Sequence, residues 1–132
     1  MKRSNLMKYG SIAIVCALHS IIACNQFDQK HTTSFISGRF ERSVNTEFSR
    51  GHIELIISPN AGNVYTIEKR SRIVNLRNRR DSVTKNDTSV WTAIYNPKDQ
   101  VLYEQKSGKI ISFDPLKNRL LVGGMEYKKV TK

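Results

Sequence analysis

Cys24 is the residue of this chain whose type and position most directly imply chemistry. A thiolate is a strong nucleophile and a metal ligand. Of the two cysteines, Cys16 lies inside an apolar run over residues 12–23, and Cys24 follows that run at once. Three basic residues stand before the run: Lys2, Arg3 and Lys8. A basic start and a short apolar run are typical of a secretory signal peptide, and the run is too short to span a bilayer.

Residues 21–24, with the sequence Ile-Ile-Ala-Cys, resemble the lipobox of bacterial lipoproteins. The resemblance implies that residues 1–23 are removed and that the thiol and new amino group of Cys24 are acylated. Each buried methylene contributes about 0.8 kcal/mol, so several chains form an effectively permanent membrane anchor. Asn25 follows the cysteine, which by resemblance to the enteric sorting rule favours the outer membrane. The alternatives are an ordinary signal peptide or an uncleaved anchor.

The rest of the chain offers little for catalysis. A mature chain that begins at Cys24 has no second thiol, which excludes a disulfide and thiol catalysis. His31 lies in a polar segment, and His52 alternates with Ile53 and Leu55 in a predicted strand, which does not favour a catalytic triad. Metal-ligand spacing is absent and the carboxylates are scattered. We therefore predict a protein that is not an enzyme and needs no metal or cofactor.

A basic segment is the other distinctive feature. Six basic residues fall within twelve positions: Lys69, Arg70, Arg72, Arg77, Arg79 and Arg80. Arg70 and Arg72 share one face of a predicted strand, and guanidinium groups suit phosphate or carboxylate ligands. The five arginines are therefore a candidate site for an anion or a protein partner. The alternative is a solvated surface that discourages edge-to-edge aggregation. No aromatic residue lies among them, which does not favour nucleic-acid binding.

The net charge is consistent with an acidic partner. The full chain carries +11, and without the three basic residues of the signal 19 basic residues remain against 11 acidic ones, a net charge of +8. Anionic lipid, acidic polysaccharide, nucleic acid and an acidic protein are all attracted by such a charge. Solubility alone is the alternative explanation.

Short segments rich in β-branched and aromatic residues make up the chain beyond residue 34, and no helical period appears. The candidate strands are residues 37–42, 52–57, 64–70, 90–95, 101–104, 109–113, 119–122 and 125–130, with a shorter apolar piece over residues 73–76. Pro, Gly and Asn residues mark the turns between them. We predict residues 1–23 as a signal helix, 24–34 as a lipidated tether and 35–132 as one all-β domain. Its fold would be an antiparallel up-and-down meander of about eight strands, either a lipocalin-like barrel or a strongly curved sheet.

The aromatic residues are interpreted as core. Trp91, Ala93 and Tyr95 share one strand face, and barrels this short are usually filled by side chains. An open interior lined by Trp91 and Tyr95 would favour a small-ligand binder. A filled interior with an exposed apolar patch beside the basic segment would favour protein contacts.

Several segments besides the lipobox at Cys24 carry a wider resemblance. They are residues 38–40 (GRF), 65–70 (YTIEKR), 91–95 (WTAIY), 108–115 (GKIISFDP) and 124–129 (GMEYKK). With them the chain resembles a group of small lipoproteins of Bacteroidetes-type bacteria, many linked to conjugative or other mobile elements. The resemblance implies a lipocalin-like β domain and transfers no catalytic residue.

The function that follows is a non-enzymatic, lipid-anchored envelope protein that acts as an interaction module, in a cell-envelope or conjugation-related assembly. One alternative is a small-ligand-binding barrel. Another is an inhibitor or immunity-type lipoprotein that blocks a secreted hydrolase, for which residues 77–86 are the candidate protruding loop.

Overall fold

Eight antiparallel strands, each paired with the next, close into a barrel in which β8 returns to β1. The structure is a computed structural model and describes residues 32–77 and 82–131. The strands are β1 (Gly38–Asn45), β2 (Ser49–Pro59), β3 (Val64–Asn75), β4 (Val83–Asn96), β5 (Val101–Glu104), β6 (Ile110–Asp114), β7 (Arg119–Val122) and β8 (Met125–Lys129). The predicted all-β meander is confirmed, as a closed barrel. The signal peptide, Cys24, residues 25–31, Arg79 and Arg80 lie outside the described residues.

The barrel closes around inward side chains that alternate with outward ones along each strand. In β2, Leu55 and Ile57 are buried while Glu54 and Ile56 are only partly so. The core is formed by Phe35, Ile36, Phe40, Ile53, Leu55, Ile57, Tyr65, Ile67, Ala93, Tyr95, Leu102, Ile111, Leu120, Val122 and Tyr127. Burial of one large apolar side chain contributes about 1.5–3 kcal/mol, so this set supplies the main stabilisation of the fold.

The first four strands are longer than the last four, and their far ends extend beyond the barrel. β3 pairs with β4 along its whole length, from Val64 to Asn75, but β4 pairs with β5 only over residues 93–96. Likewise, β1 pairs with β8 only at Phe40 and Glu41. Residues 42–53, 71–77 and 82–91 therefore form a four-stranded sheet, which we call the extension.

Two predictions about this part of the chain are wrong. A strand over residues 64–70 and a separate apolar piece over residues 73–76 were expected, but the single strand β3 runs from Val64 to Asn75. Residues 77–86 were expected as a loop, but residues 83–86 begin β4. Residues 83–88 at the start of β4 are exposed on both faces, and residues 70–72 of β3 are all polar, so neither segment shows the apolar alternation of a half-buried strand.

A short helical segment, residues 32–36, packs against one end of the barrel. The Phe35 ring meets Phe40 and Phe113 edge-on, with centroids 5.6 Å and 6.3 Å apart. The Lys129 ammonium donates a hydrogen bond of 2.6 Å to the Phe35 carbonyl oxygen and lies 4.4 Å from the centre of its ring. These contacts hold the segment in place.

The folded domain includes residues 32–34, which the sequence pattern assigns to the tether. The expected tether ran to residue 34, but Thr32 is only 6 % exposed, and its hydroxyl donates to Oε1 of Gln100 at 3.0 Å. Polar residues such as these give no apolar period, so their packing is visible only in the structure.

Candidate interaction surface

Arg70 and Arg72 share the outer face of β3, as the alternation predicts, but carboxylates already surround Arg70. Its Nε lies 2.7 Å from Oε1 of Glu68, and its Nη1 lies 3.8 Å from Oε2 of Glu54. The hydrogen bond to Glu68, followed by the charge of that residue, raises the pKa of Arg70 above its ordinary value. Arg70 is therefore engaged within the protein's own surface.

The ion pairs continue across the outer face of β1 and β2. Glu54 also contacts Arg39 at 3.0 Å, and Arg39 contacts Glu41 at 2.8 Å. His52 Nε2 lies 3.8 Å from the same carboxylate of Glu41. Exposed pairs of this kind stabilise a protein only slightly, but they leave both signs of charge interleaved on this face. Such a face is a poor anion site.

Arg72 borders a shallow groove of about 230 Å³. The groove is lined by His52, Glu54, Arg70, Ser71, Arg72, Asn86, Asp87 and Thr88. Two of these residues are acidic, so an anion entering the groove would meet repulsion as well as attraction. The predicted pair of arginines is thus present, but in a mixed electrostatic setting.

Arg77 lies apart from the other two described arginines of the predicted site. Its guanidinium carbon is 5.9 Å from the centre of the Phe48 ring, in the β1–β2 turn. The Leu76 backbone N–H donates to the Phe48 carbonyl at 2.8 Å, which holds Leu76 beside the β1–β2 turn. The structure therefore places Arg77 at the far end of the extension.

That far end exposes apolar and basic side chains together. Phe48 is 53 % exposed and Val83 is 65 % exposed. Both lie at the same end of the extension, because Asn75 lies opposite Val83 on one side and opposite Ser49, the neighbour of Phe48, on the other. Arg77 lies over the Phe48 ring, while Arg50 and Lys85 lie opposite Val74 and Ile73, one and two positions further along the strands. We call Phe48, Val83, Arg50, Arg77 and Lys85 the end patch. Glu47 is the one carboxylate in residues 44–50, 74–77 and 82–85.

Trp91 differs from its predicted role as a purely core residue. It is partly buried against the core, and two ammonium groups lie over its ring. Lys109 Nζ is 4.6 Å from the ring centre and Lys69 Nζ is 5.9 Å from it. Lys109 lies in the β5–β6 turn, and the pairing of β5 with β4 brings this turn to Trp91. Cation–π contacts of this kind stabilise an exposed site by about 0.5–1 kcal/mol.

Glu104 is a buried carboxylate that the sequence did not single out. It is 3 % exposed, and it accepts hydrogen bonds of 2.7 Å from the backbone N–H groups of Lys106 and Ser107. The Ser107 hydroxyl also donates to it. These hydrogen bonds lower the pKa of Glu104, and the bond from the Ser107 hydroxyl has the largest effect. Its bonds close the β5–β6 turn, which is a structural role.

A second surface groove, of about 460 Å³, lies where β1 and β8 separate. It is lined by Glu41, Arg42, Ser43, His52, Glu126 and Lys128. The Arg42 side chain crosses this opening and donates to the Met125 sulfur at 2.8 Å.

Within residues 32–77 and 82–131, no group of three His, Cys, Asp or Glu residues is placed to hold a metal ion. Nor does that part of the chain contain a helix long and apolar enough to cross a membrane.

The interior holds side chains where a ligand chamber would have to be. Tyr95, which with Trp91 would line the interior of a ligand-binding barrel, is only 4 % exposed and belongs to the core, as the sequence predicts. Comparison of the chain with protein families, with curated proteins and with solved structures finds no match. The fold and the surface chemistry therefore carry the functional argument.

Proposed function

We propose that the protein is a non-enzymatic interaction module, held to the cell envelope by acylation of Cys24, that binds an acidic protein surface through the end patch. One observation carries the binding part of this proposal. A barrel with a filled core exposes Phe48 and Val83 beside basic residues, at the end of a sheet that extends away from the barrel.

Anchoring rests on the sequence. The basic start, the apolar run and the Ala23-Cys24 junction support export and acylation. Lipid chains on Cys24 would hold the protein at the membrane, so the folded domain itself need only contact other molecules. The proposed setting of the protein is a cell-envelope or conjugation-related assembly.

The charge and shape of the end patch support a protein partner. Exposed apolar side chains ringed by charged ones are typical of protein-binding sites. Three basic residues against Glu47 give the patch a positive potential, which favours an acidic partner and raises its rate of association. Aromatic and arginine side chains such as Phe48 and Arg77 are enriched at interfaces.

A secreted hydrolase is a second candidate for the partner, because Asn75 and Val83, where β3 ends and β4 begins, lie at the end of the extension rather than on the barrel. An inhibitor needs a projecting element that reaches into an enzyme's cleft. A ligand bound inside the barrel has less support, because the inward side chains pack against one another.

The test is crosslinking of the anchored protein in its native cells, followed by purification under denaturing conditions. The double variant Phe48→Ala/Arg77→Glu should lose a crosslinked acidic protein that the wild type captures. Leu116→Ala is the matched control, because Leu116 is 97 % exposed and lies in the turn before β7. Identical crosslinked products from all three proteins would refute the proposed site.

Anchoring is tested separately: Cys24→Ala should move the protein out of the membrane fraction and abolish acyl labelling.

A further inference from the structure

β4 has one edge without a partner strand over much of its length. On one side it pairs with β3 from Val83 to Ile94. On the other side it pairs with β5 only over residues 93–96, so among the described residues no strand covers residues 83–91. An uncovered edge of this length is a template for pairing with another chain.

The hydrogen bonds at the end of β4 show which backbone groups face outward. Tyr95 N–H donates to the Asn63 carbonyl, toward β3, whereas the Thr92 carbonyl accepts from Gln105 N–H, toward β5. Since the two directions alternate along a strand, even-numbered residues present their N–H and C=O groups at the outer edge. Those residues are Thr84, Asn86, Thr88 and Val90.

This edge carries few of the devices that usually block a free edge. Residues 83–91 contain no proline and only one lysine, and their valines and threonines favour strand structure. The opposite edge of the extension, on β1, differs because the Arg42 side chain reaches across the opening to Met125. The β4 edge is therefore the more open of the two.

We propose that the β4 edge pairs with the β4 edge of a second copy of this chain, antiparallel and centred on Asn86. In this register Asn86 lies opposite Asn86 of the other copy, and Thr84 lies opposite Thr88. Lys85 then faces Asp87 of the other copy twice, once on each side of the two-fold axis. The four-stranded extensions of two copies become one continuous eight-stranded sheet.

Charge complementarity identifies the second copy as the occupant. The segment 84–90 carries one positive and one negative charge, so it is neutral within a chain of net charge +11. Neither Lys85 nor Asp87 has an ion-pair partner among the described residues. A register one pair further along would set Asp87 against Asp87, which is unfavourable. Lys85 belongs both to the end patch and to this edge, but self-association is measured without the partner of the end patch, so the two proposals can fail separately.

Charge reversal tests the pairing. Sedimentation equilibrium of the full chain in detergent should show a monomer–dimer equilibrium, and Lys85→Glu or Asp87→Lys alone should weaken it by about tenfold, because two attractive pairs become repulsive. The double variant Lys85→Glu/Asp87→Lys should restore it. Lys98→Glu, in the exposed β4–β5 turn, makes the same charge change away from the edge and should have no effect. A monomer at all concentrations, or a dimer indifferent to both single reversals, would overturn the proposal.

Cysteine pairing tests the register itself. Residues opposite each other in a hydrogen-bonded antiparallel pair have Cα atoms about 5.5 Å apart, within reach of a disulfide. Asn86→Cys should therefore form a covalent dimer on mild oxidation. Thr88→Cys is the matched control, because in this register two copies of residue 88 lie four positions apart. Equal crosslinking of both variants, or crosslinking of neither, would contradict pairing about Asn86.

Discussion

The Arg70 guanidinium lies between the carboxylates of Glu68 and Glu54, at 2.7 Å and 3.8 Å. This relationship changes the meaning of the basic segment that dominates the sequence. Arg70 is already engaged by the protein's own acidic residues. Arg77 lies at the far end of the extension instead, so basic and exposed apolar side chains occur together there.

Neutralising the paired arginine should therefore leave binding intact. Arg70→Gln is expected to capture the same partner as the wild type, because its side chain is engaged by Glu68 and Glu54. Arg77→Gln should reduce capture, because Arg77 lies beside the exposed Phe48. Quantitative comparison of crosslinked product from the two variants checks this. Loss of capture in Arg70→Gln alone would move the site back to the outer face of β3.

The Tyr95 hydroxyl is buried without a hydrogen-bond partner among the described residues, and burial raises its pKa. Tyr95→Phe removes a desolvated polar group, so the free energy of unfolding should stay the same or rise by up to about 1 kcal/mol. Tyr103→Phe is the control and should lower stability, since its hydroxyl donates to Asp99 at 3.1 Å. Urea unfolding measures both. A clear loss of stability in Tyr95→Phe would mean that the hydroxyl has a partner after all.

Glu104 makes the fold sensitive to acid. Its pKa is lower in the folded state than the ordinary 4.5, chiefly because of the Ser107 hydroxyl. The carboxylate therefore contributes its full stabilisation above about pH 4.5, and this is lost as the pH falls toward the folded-state pKa. Glu104→Gln should be less stable than the wild type at pH 7, and the difference should shrink below pH 4.5. Urea midpoints across pH 3–7 check this, and a difference that is constant with pH would contradict it.

Gly51 permits the close approach of β2 and β3 in the extension. A Cβ atom at this position would lie 2.9 Å from Ile73 Cα and still closer to the Arg72 carbonyl oxygen. Gly51→Ala should therefore push the strands apart and cost about 1–3 kcal/mol. Amide hydrogen exchange should quicken in residues 71–75 before it changes in β5–β8. Ser49→Ala, on the same strand face, is the control. Unchanged exchange in the extension would show that the strands accommodate the extra methyl group.

Much of the barrel was predictable from the sequence because its turns and its inward residues have local signatures. Gly123 and Gly124 supply the positive φ angles of 54° and 81° that join β7 to β8. The alternation around Tyr65 and Ile67 indicates a half-buried strand, and both are buried. Local pattern was therefore sufficient for these elements.

The extension and the candidate site were harder to predict, because both depend on contacts distant in sequence. The start of β4 is polar on both faces, so it lacks the pattern of a half-buried strand. Phe48 was grouped with core aromatic residues, but it lies in a turn and is 53 % exposed. Its proximity to Arg77 follows from the β2–β3 register, which no local pattern determines.

A photo-crosslinking amino acid placed at position 48 captures whatever molecule binds the end patch in native cells. Illumination of native cells should link this position to one acidic envelope or secreted protein, and the product should disappear when Arg77→Glu is added. The same crosslinker at position 116 should not form it, since Leu116 is exposed elsewhere on the barrel. No discrete product from position 48, or the same product from both positions, would contradict an interaction module that works through the end patch.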